Sequence, residues 1–255
     1  MKDKLLKIIR IILVIIIIVC LGILGKRGYD YYQNYKNNKH IESVMQEVQE
    51  TKDNSNDVKV ETFEDKENKY MEILKKFQKE NPDVIAFIQI PKTNIAYPIL
   101  QAKDNDYYLR RSLDLKYDIA GSIFMDYMND KKMNDDNSVI YGHYIQGMTS
   151  MFTALKEFRD QEFAQKNRNF YIVTEDGLRE YRIFSVYATP ANYDYRTLNF
   201  EDKGQKLSYL EKLKEKSDVS LENRNFKQDD TIVTLSTCQY DYEDERLAVH
   251  ALRVR

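Results

Sequence analysis

Three residues of the chain have side chains suited to moving an acyl group: His143, Cys238 and Arg246. A thiol attacks a carbonyl as its thiolate, so it needs a base or a positive charge nearby. Histidine can take the thiol proton and later return it to a leaving amine. Arginine is a permanent cation, and a fixed N–H donor at a developing oxyanion contributes a few kcal/mol. The three residue types are therefore sufficient for acyl transfer.

The cysteines of the chain are Cys20 and Cys238. Cys20 lies inside an apolar run suited to lipid, so a disulfide between the two is not expected. Cys238 is then an unpaired thiol, which is either reactive or a buried structural cysteine. The scattered cysteines and histidines do not form a zinc site, and the sequence has no GxSxG, P-loop or Rossmann fingerprint. We expect no metal and no cofactor.

The three histidines have different surroundings in the sequence. His40 lies in a polar segment and is expected to be solvated. His250 alternates with apolar neighbours in the last predicted strand, which favours a residue on a sheet face. His143 follows Gly142 at the end of an apolar strand, a better position for a functional site.

The elements that must position these residues are short strands. Apolar, β-branched or aromatic runs separated by polar turns predict strands at 84–90, 95–100, 138–142, 170–174, 179–188, 231–237 and 246–254. Seven or eight such strands are typical of a sandwich or barrel, in which strand ends meet at one rim. Helices are predicted from near Glu67 to Asn81-Pro82, at 151–158 and at 203–216. His143, Cys238 and Arg246 all lie at strand ends.

The N-terminal segment predicts a membrane anchor. Residues 11–25 are uninterrupted apolar residues, and the span from Leu5 to Gly25 reaches the length that crosses a bilayer. Basic residues precede the run, which favours a cytoplasmic N-terminus and an extracellular remainder. A cleaved signal peptide is the alternative, but no small-x-small cleavage site follows. A buried helix of a soluble protein would have to hide an all-apolar surface.

The expected domains are a cytoplasmic tip and anchor at 1–27, an extracellular stalk at 28–66 and a catalytic domain at 67–255. The stalk is polar, could be helical at 40–50, and is expected to be a flexible spacer at 51–66. The formal net charge of −2 gives no indication of nucleic-acid binding.

The segment Thr234-Leu-Ser-Thr-Cys238, with Arg246 on the next predicted strand, is similar to the signature of the sortase family. The order of His143, Cys238 and Arg246 along the chain also matches. The predicted helix within 199–217, before the cysteine strand, favours class B over class A. Further segments resemble class B members: Tyr141-Gly-His143 with Met151-Phe152 soon after, Asn81-Pro-Asp-Val-Ile-Ala-Phe-Ile88 leading to Ile90-Pro91, and Gly121-Ser-Ile-Phe-Met-Asp126. The resemblance covers 67–255.

The resemblance implies a mostly β fold: an eight-stranded sortase-type β-barrel with N-terminal helices and a helix inserted before the Cys-bearing strand. It also implies a single-pass enzyme of Gram-positive cell surfaces that recognises a C-terminal sorting motif on secreted proteins. Cys238 would attack the carbonyl of the motif's Thr, and an amine of a peptidoglycan precursor would release the thioacyl enzyme. His143 would act as acid and base, and Arg246 would hold substrate and the oxyanion. Resting Cys238 and His143 would be largely neutral.

Substrate contacts are implied for Ser236, Leu109, Thr189 and Tyr193, which match groove positions of class B relatives. Gln239 and Tyr240 follow the cysteine and Asp241 comes only afterwards, so no catalytic aspartate is assigned.

Two alternatives remain open. The same chemistry could polymerise pilins, although such enzymes often carry a lid segment and a second membrane span. An inactive binding domain on the same scaffold is disfavoured because the three reactive residues are intact. Papain-like and NlpC-type hydrolases are disfavoured because they place cysteine before histidine in the chain.

Overall fold

The computed structural model describes residues 2–50, 61–145, 147–221, 224–238 and 245–255. Its strands form a closed barrel in the order β1-β2-β3-β4-β7-β8-β6-β5. The pairs β2–β3 and β4–β7 are parallel, and the other neighbours are antiparallel. The strands are β1 (Val84–Gln89), β2 (Ala96–Leu100), β3 (Ile123–Met125), β4 (Asn137–Gly142), β5 (Asn169–Thr174), β6 (Gly177–Pro190), β7 (Ile232–Cys238) and β8 (Glu245–Arg253).

The expected eight-stranded barrel is confirmed, and so is the helix before the cysteine strand, α4 (Lys203–Glu215). The three-residue strand β3 was not among the predicted strands, since it is too short to show a period. The helix predicted at 151–158 is a 3₁₀ helix over Met151–Arg159 with a kink at Phe152, followed by α3 (Gln161–Asn167).

Helix α2 (Phe63–Glu80) begins earlier than expected. Thr62 and Asp65 form a capping box, in which each side chain accepts from the other residue's backbone N–H. The predicted apolar face is confirmed, because its four residues are buried against the barrel: Tyr70, Ile73, Leu74 and Phe77. Residues 51–60 of the predicted spacer lie outside the described residues.

Helix α1 (Lys2–Glu50) is continuous from the apolar segment through most of the predicted stalk. Its apolar half is exposed along its whole length, and this helix is long and apolar enough to cross a bilayer. Its second half packs against the domain, where Ile41, Val44 and Val48 are buried. Residues 28–50 are mostly polar, and this packing was not predicted although the three apolar residues recur at helical spacing.

Candidate active site

The three reactive residues fall in one row across neighbouring strands. Gly142 of β4 pairs with Thr237 of β7, so one further step of this parallel register brings His143 beside Cys238. On the other side of β7, Cys238 pairs with Arg246 of β8. Adjacent strands lie about 4.8 Å apart. The backbone therefore brings the three positions together, as the strand-end argument predicted; the side chain of Cys238 lies outside the described part of the chain.

His143 is held at the rim by tight packing behind it. Its backbone carbonyl accepts a hydrogen bond from the N–H of Phe152 at 3.2 Å. A Cβ at Gly142 would lie 2.4 Å from the Ile123 side chain and 2.7 Å from the Phe152 ring. Only glycine fits there, and this close approach lets the Phe152 ring pack under the end of β4.

His143 is neutral at physiological pH. Burial lowers its pKa to about 4, and the positive charges of Arg110 and Arg246 contribute to this lowering. The residue is only 6% exposed. A neutral imidazole can accept a proton from a thiol, so His143 is in the protonation state that a general base requires before the reaction.

Arg246 lies between Cys238 on β7 and Thr189 on β6 in the sheet register. It is half-buried, and its Nη1 donates to the carbonyl of Glu245 at 3.1 Å. Arg246 and His143 line one groove of about 280 Å³. The other lining residues described are Asn105, Asp106, Leu109, Phe124, Tyr141, Gly142, Tyr195, Arg196, Ser236 and Thr237.

The comparisons agree with this geometry. The family model described as the sortase domain matches residues 88–254. Sortase B of Listeria monocytogenes is 39% identical over 180 residues, which are 69% of this chain and 72% of that protein. The Staphylococcus aureus sortase B–substrate complex has a TM-score of 0.74 at 26% identity, covering 88% of this chain and 97% of that one. A sortase B complexed with triglycine has a TM-score of 0.72 at 26% identity, covering 88% and 98%.

The chain belongs to the sortase family. Its similarity to sortase B proteins in sequence and structure confirms class B and the expected cysteine transpeptidase. The barrel of this sortase also matches the fold of those structures.

Of the substrate contacts expected for the sortase, Leu109 and Ser236 line the groove with His143 and Arg246. Thr189 is buried in β6 next to Arg246, and among the described residues its hydroxyl has no hydrogen-bond partner. Tyr193 lies in the turn after β6, where the Lys216 ammonium sits 3.9 Å from its ring centroid. Neither Thr189 nor Tyr193 is among the groove-lining residues that the structure describes.

Tyr195 and Arg196 are among the groove residues that the sequence reasoning missed, together with Asn105 and Asp106. The Tyr195 hydroxyl is 2.9 Å from the Ser236 hydroxyl, so it links the loop after β6 to the strand of the cysteine. Arg196 interacts electrostatically with Tyr141 and Asp126. Burial raises the pKa of Tyr141, whose hydroxyl stays protonated and donates to Asp126 at 2.9 Å. The sequence signal that could have pointed to Tyr195 and Arg196 was the Tyr-Asp-Tyr-Arg run at 193–196. This run does not show the alternation of a strand, so it did not indicate a place at the groove.

His250 is a buried core residue of the sortase barrel, as its alternation predicted. Thr234 Oγ1 donates to Asn137 Oδ1 at 2.8 Å, so it can accept from His250 Nδ1 at 2.9 Å. His250 Nε2 then accepts from the Tyr187 hydroxyl at 2.9 Å. Burial lowers the pKa of His250 to about 3, and the neutral ring bridges β7 and β6.

Two other cavities, of about 290 and 350 Å³, lie where α1 meets the barrel. Their described lining contains neither His143 nor Arg246. The chemistry of the lining residues, and not the volume, therefore marks the groove at His143 as the candidate active site.

Proposed function

We propose that this sortase is a membrane-anchored enzyme that cleaves a C-terminal sorting motif of secreted proteins after Thr. It transfers the resulting acyl group to an amine of cell-wall peptidoglycan. The observation that carries this proposal is the row formed by His143 directly after β4, Cys238 of β7 and Arg246 of β8, with His143 and Arg246 lining a groove.

Acylation begins with the neutral pair of Cys238 and His143. His143 takes the thiol proton as the sulfur attacks the carbonyl carbon of the motif's Thr. The carbonyl oxygen becomes an oxyanion, which Arg246 stabilises with its charged N–H groups. When the peptide bond breaks, the imidazolium of His143 gives its proton to the leaving amine. The Thr carbonyl remains on Cys238 as a thioester.

Deacylation reverses these roles. An incoming amine attacks the thioester carbon, and His143 takes the proton that the amine loses. The second oxyanion forms at the same place, and its collapse releases the thiolate of Cys238, which regains a proton from His143. One amide bond is broken and one is formed, so the cycle needs no oxidant or external energy.

Two solved structures that are similar to this chain support this assignment of substrate and acceptor. One sortase B was solved as a substrate complex, and another in complex with triglycine. A glycine peptide carries a free α-amino group, the chemical class of acceptor that the second step needs. In this chain we assign substrate contacts to Leu109 and Ser236, which line the groove, and to Thr189 and Tyr193, which are not among its described lining residues.

We infer that α1 anchors the enzyme through residues 1–27, with the N-terminus in the cytoplasm and the catalytic domain outside. The exposed apolar half of α1 supports the anchor, and the basic residues before it support the orientation. The boundaries at 28–66 for the segment outside the membrane and 67–255 for the catalytic domain are part of the same proposal.

The proposal is tested with the full chain in detergent micelles, a library of fluorogenic sorting-motif peptides and triglycine as acceptor. Cys238→Ala should abolish cleavage, and His143→Ala should reduce it by about 10²–10⁴-fold. Cys20→Ala, in the apolar half of α1, is the matched control and should keep the full rate.

Full cleavage by the Cys238→Ala enzyme would contradict the proposed nucleophile. Peptide binding without cleavage by the unaltered enzyme would indicate an inactive binding domain. A product formed with a lysine side chain and none with triglycine would indicate a pilin polymerase.

A further inference from the structure

Tyr97 of β2 is buried where α1 meets the barrel, and its hydroxyl takes part in two hydrogen bonds. The residue is 5% exposed and lines both cavities beside α1. Burial raises the pKa of Tyr97 to about 12, so the hydroxyl is protonated and can donate. It donates to Oδ1 of Asn38 on α1 at 2.8 Å and accepts from the N–H of Met151 at 3.2 Å. One side chain thus joins α1 to the segment that follows His143.

Met151 begins the 3₁₀ helix of residues 151–159 in a conformation that its surroundings must enforce. Its φ is +54°, in the left-handed region that is unfavourable for methionine. The first N–H groups of a helix have no partner within it and need acceptors from outside. Here the Tyr97 hydroxyl accepts from the N–H of Met151, and the backbone carbonyl of His143 accepts from the N–H of Phe152 at 3.2 Å. These two adjacent N–H groups tie Tyr97 and His143 to the same end of one helix.

Ser150, which precedes this helix, does not supply the acceptor. A serine at this position commonly accepts a hydrogen bond from the start of the helix through its hydroxyl, but among the described residues the Ser150 side chain makes no such bond. Its hydroxyl donates to Oδ1 of Asn34 on α1 at 2.9 Å. The amide nitrogen of Asn38 donates to the backbone carbonyl of Asn34 at 2.8 Å, which directs its Oδ1 toward Tyr97. Two side chains of α1 therefore hold the start of the helix that supports His143.

Phe152 carries the position of this helix start to His143. Besides the hydrogen bond to the His143 carbonyl, its buried ring lies against Gly142, where an added Cβ would come within 2.7 Å of it. A shift of Met151 would therefore move Phe152 and, with it, the backbone of His143. A displacement of about 1 Å at a catalytic group can cost about 10²-fold in rate, even when its cause lies far from the chemistry.

We propose that Tyr97 is a positioning residue for His143, and that Asn38 of α1 acts on the reaction through it. The inference rests on the acid–base role of His143 in the proposed function. Tyr97 is not among the groove-lining residues that the structure describes, so its substitution should slow the reaction without weakening peptide binding. Docking of α1 against the barrel is then a condition for full activity.

The test uses the full chain in detergent micelles, with isotope-labelled histidine for NMR. Tyr97→Phe keeps the ring and removes only the hydroxyl. We expect kcat for sorting-motif peptides to fall about tenfold and KM to change by less than about twofold, because the lost contact supports His143 and not the groove. The ring signals of His143 should shift. Those of His250, buried between β7 and β6, should stay in place and serve as an internal control.

Tyr181→Phe is the matched control, because it also removes the hydroxyl of a buried tyrosine. Tyr181 stacks on Phe170 and pairs with Arg253 at the other end of the barrel, about 26 Å along β6 from Thr189 at the rim. This variant should keep the kcat, the KM and the His143 signals of the unaltered enzyme. Unfolding midpoints from circular dichroism separate a loss of folding from a loss of position.

Asn38→Ala tests the link to α1 while the tyrosine stays intact. We expect a smaller fall in kcat than for Tyr97→Phe, because the Tyr97 hydroxyl loses its acceptor but still accepts from Met151. The double variant should be no slower than Tyr97→Phe alone, since both changes break the same contact.

Unchanged kcat or unchanged His143 signals in Tyr97→Phe would show that Tyr97 does not position His143. A raised KM with unchanged kcat would place Tyr97 in peptide binding instead, and effects that multiply in the double variant would separate Asn38 from Tyr97. If Tyr97→Phe does not fold, the kcat and the His143 signals of Asn38→Ala decide. If the unaltered enzyme forms no product with any peptide, the proposed function fails, while the His143 signals still show whether Tyr97 positions that residue.

Discussion

The protonation state of His143 decides whether this residue can act as a base. Burial and the nearby charges of Arg110 and Arg246 lower the pKa of His143 to about 4, so the ring is neutral at pH 7. An imidazolium next to a thiolate would have to form against this preference. The imidazolium of His143 is therefore the minor form at pH 7 before substrate binds. The neutral pair with Cys238 that the resemblance implied stays a prediction.

At the residue scale, the low pKa predicts a specific pH dependence. Between about pH 6.5 and pH 4 the unfolded chain binds a proton at His143 that the folded chain does not bind, so stability falls as the pH falls. The loss at this residue is about 3 kcal/mol, and His143→Gln should remove it. Urea unfolding at both ends of this pH range measures the loss.

The pKa itself is measured from the ring proton shifts of His143 by NMR. Arg110→Ala should raise it only in part, because burial is the larger cause. A His143 that titrates at about 6.5 or above in the folded protein, the ordinary value for histidine, would contradict this account of the resting site.

At the scale of elements, Asp118 is the polar centre of one contact between α1 and the barrel. Asn34 and Asn37, one turn apart on α1, donate to its carboxylate at 3.1 and 2.6 Å, and the N–H of Ala120 donates at 2.8 Å. Ser150 donates to Asn34 at 2.9 Å. Asp118 is 1% exposed, so its charge is stabilised by these donors and not by water.

Asp118→Ala should therefore destabilise the protein by about 1–3 kcal/mol, because it leaves buried amides without an acceptor. It should also increase proteolysis within residues 29–50, since α1 loses one set of its contacts with the barrel. Asp229→Ala, at an exposed aspartate, is the matched control and should change neither quantity. Equal unfolding midpoints for the two variants would show that the asparagine–Asp118 contacts do not hold α1.

At the scale of the whole molecule, periodicity and strand ends predicted most of the barrel. The row of His143, Cys238 and Arg246 followed from the end positions of β4, β7 and β8. The docking of residues 29–50 was not predicted, because the segment is mostly polar and its partners are distant in sequence. The helical spacing of Ile41, Val44 and Val48, which are buried, was a signal that the reasoning did not use. Arg196 was missed because a loop residue reaches the groove through tertiary contacts, which no local pattern shows.

The central claim is tested most directly by measuring the mass of the thioacyl enzyme at Cys238. A sorting-motif peptide is mixed with the Cys20→Ala protein, the reaction is quenched with acid, and the intact mass is recorded. We predict an added mass equal to the peptide fragment that ends at Thr, located on Cys238 by peptide mapping and removed by triglycine. Cleaved peptide without any adduct at Cys238, or with an adduct elsewhere, would contradict the account.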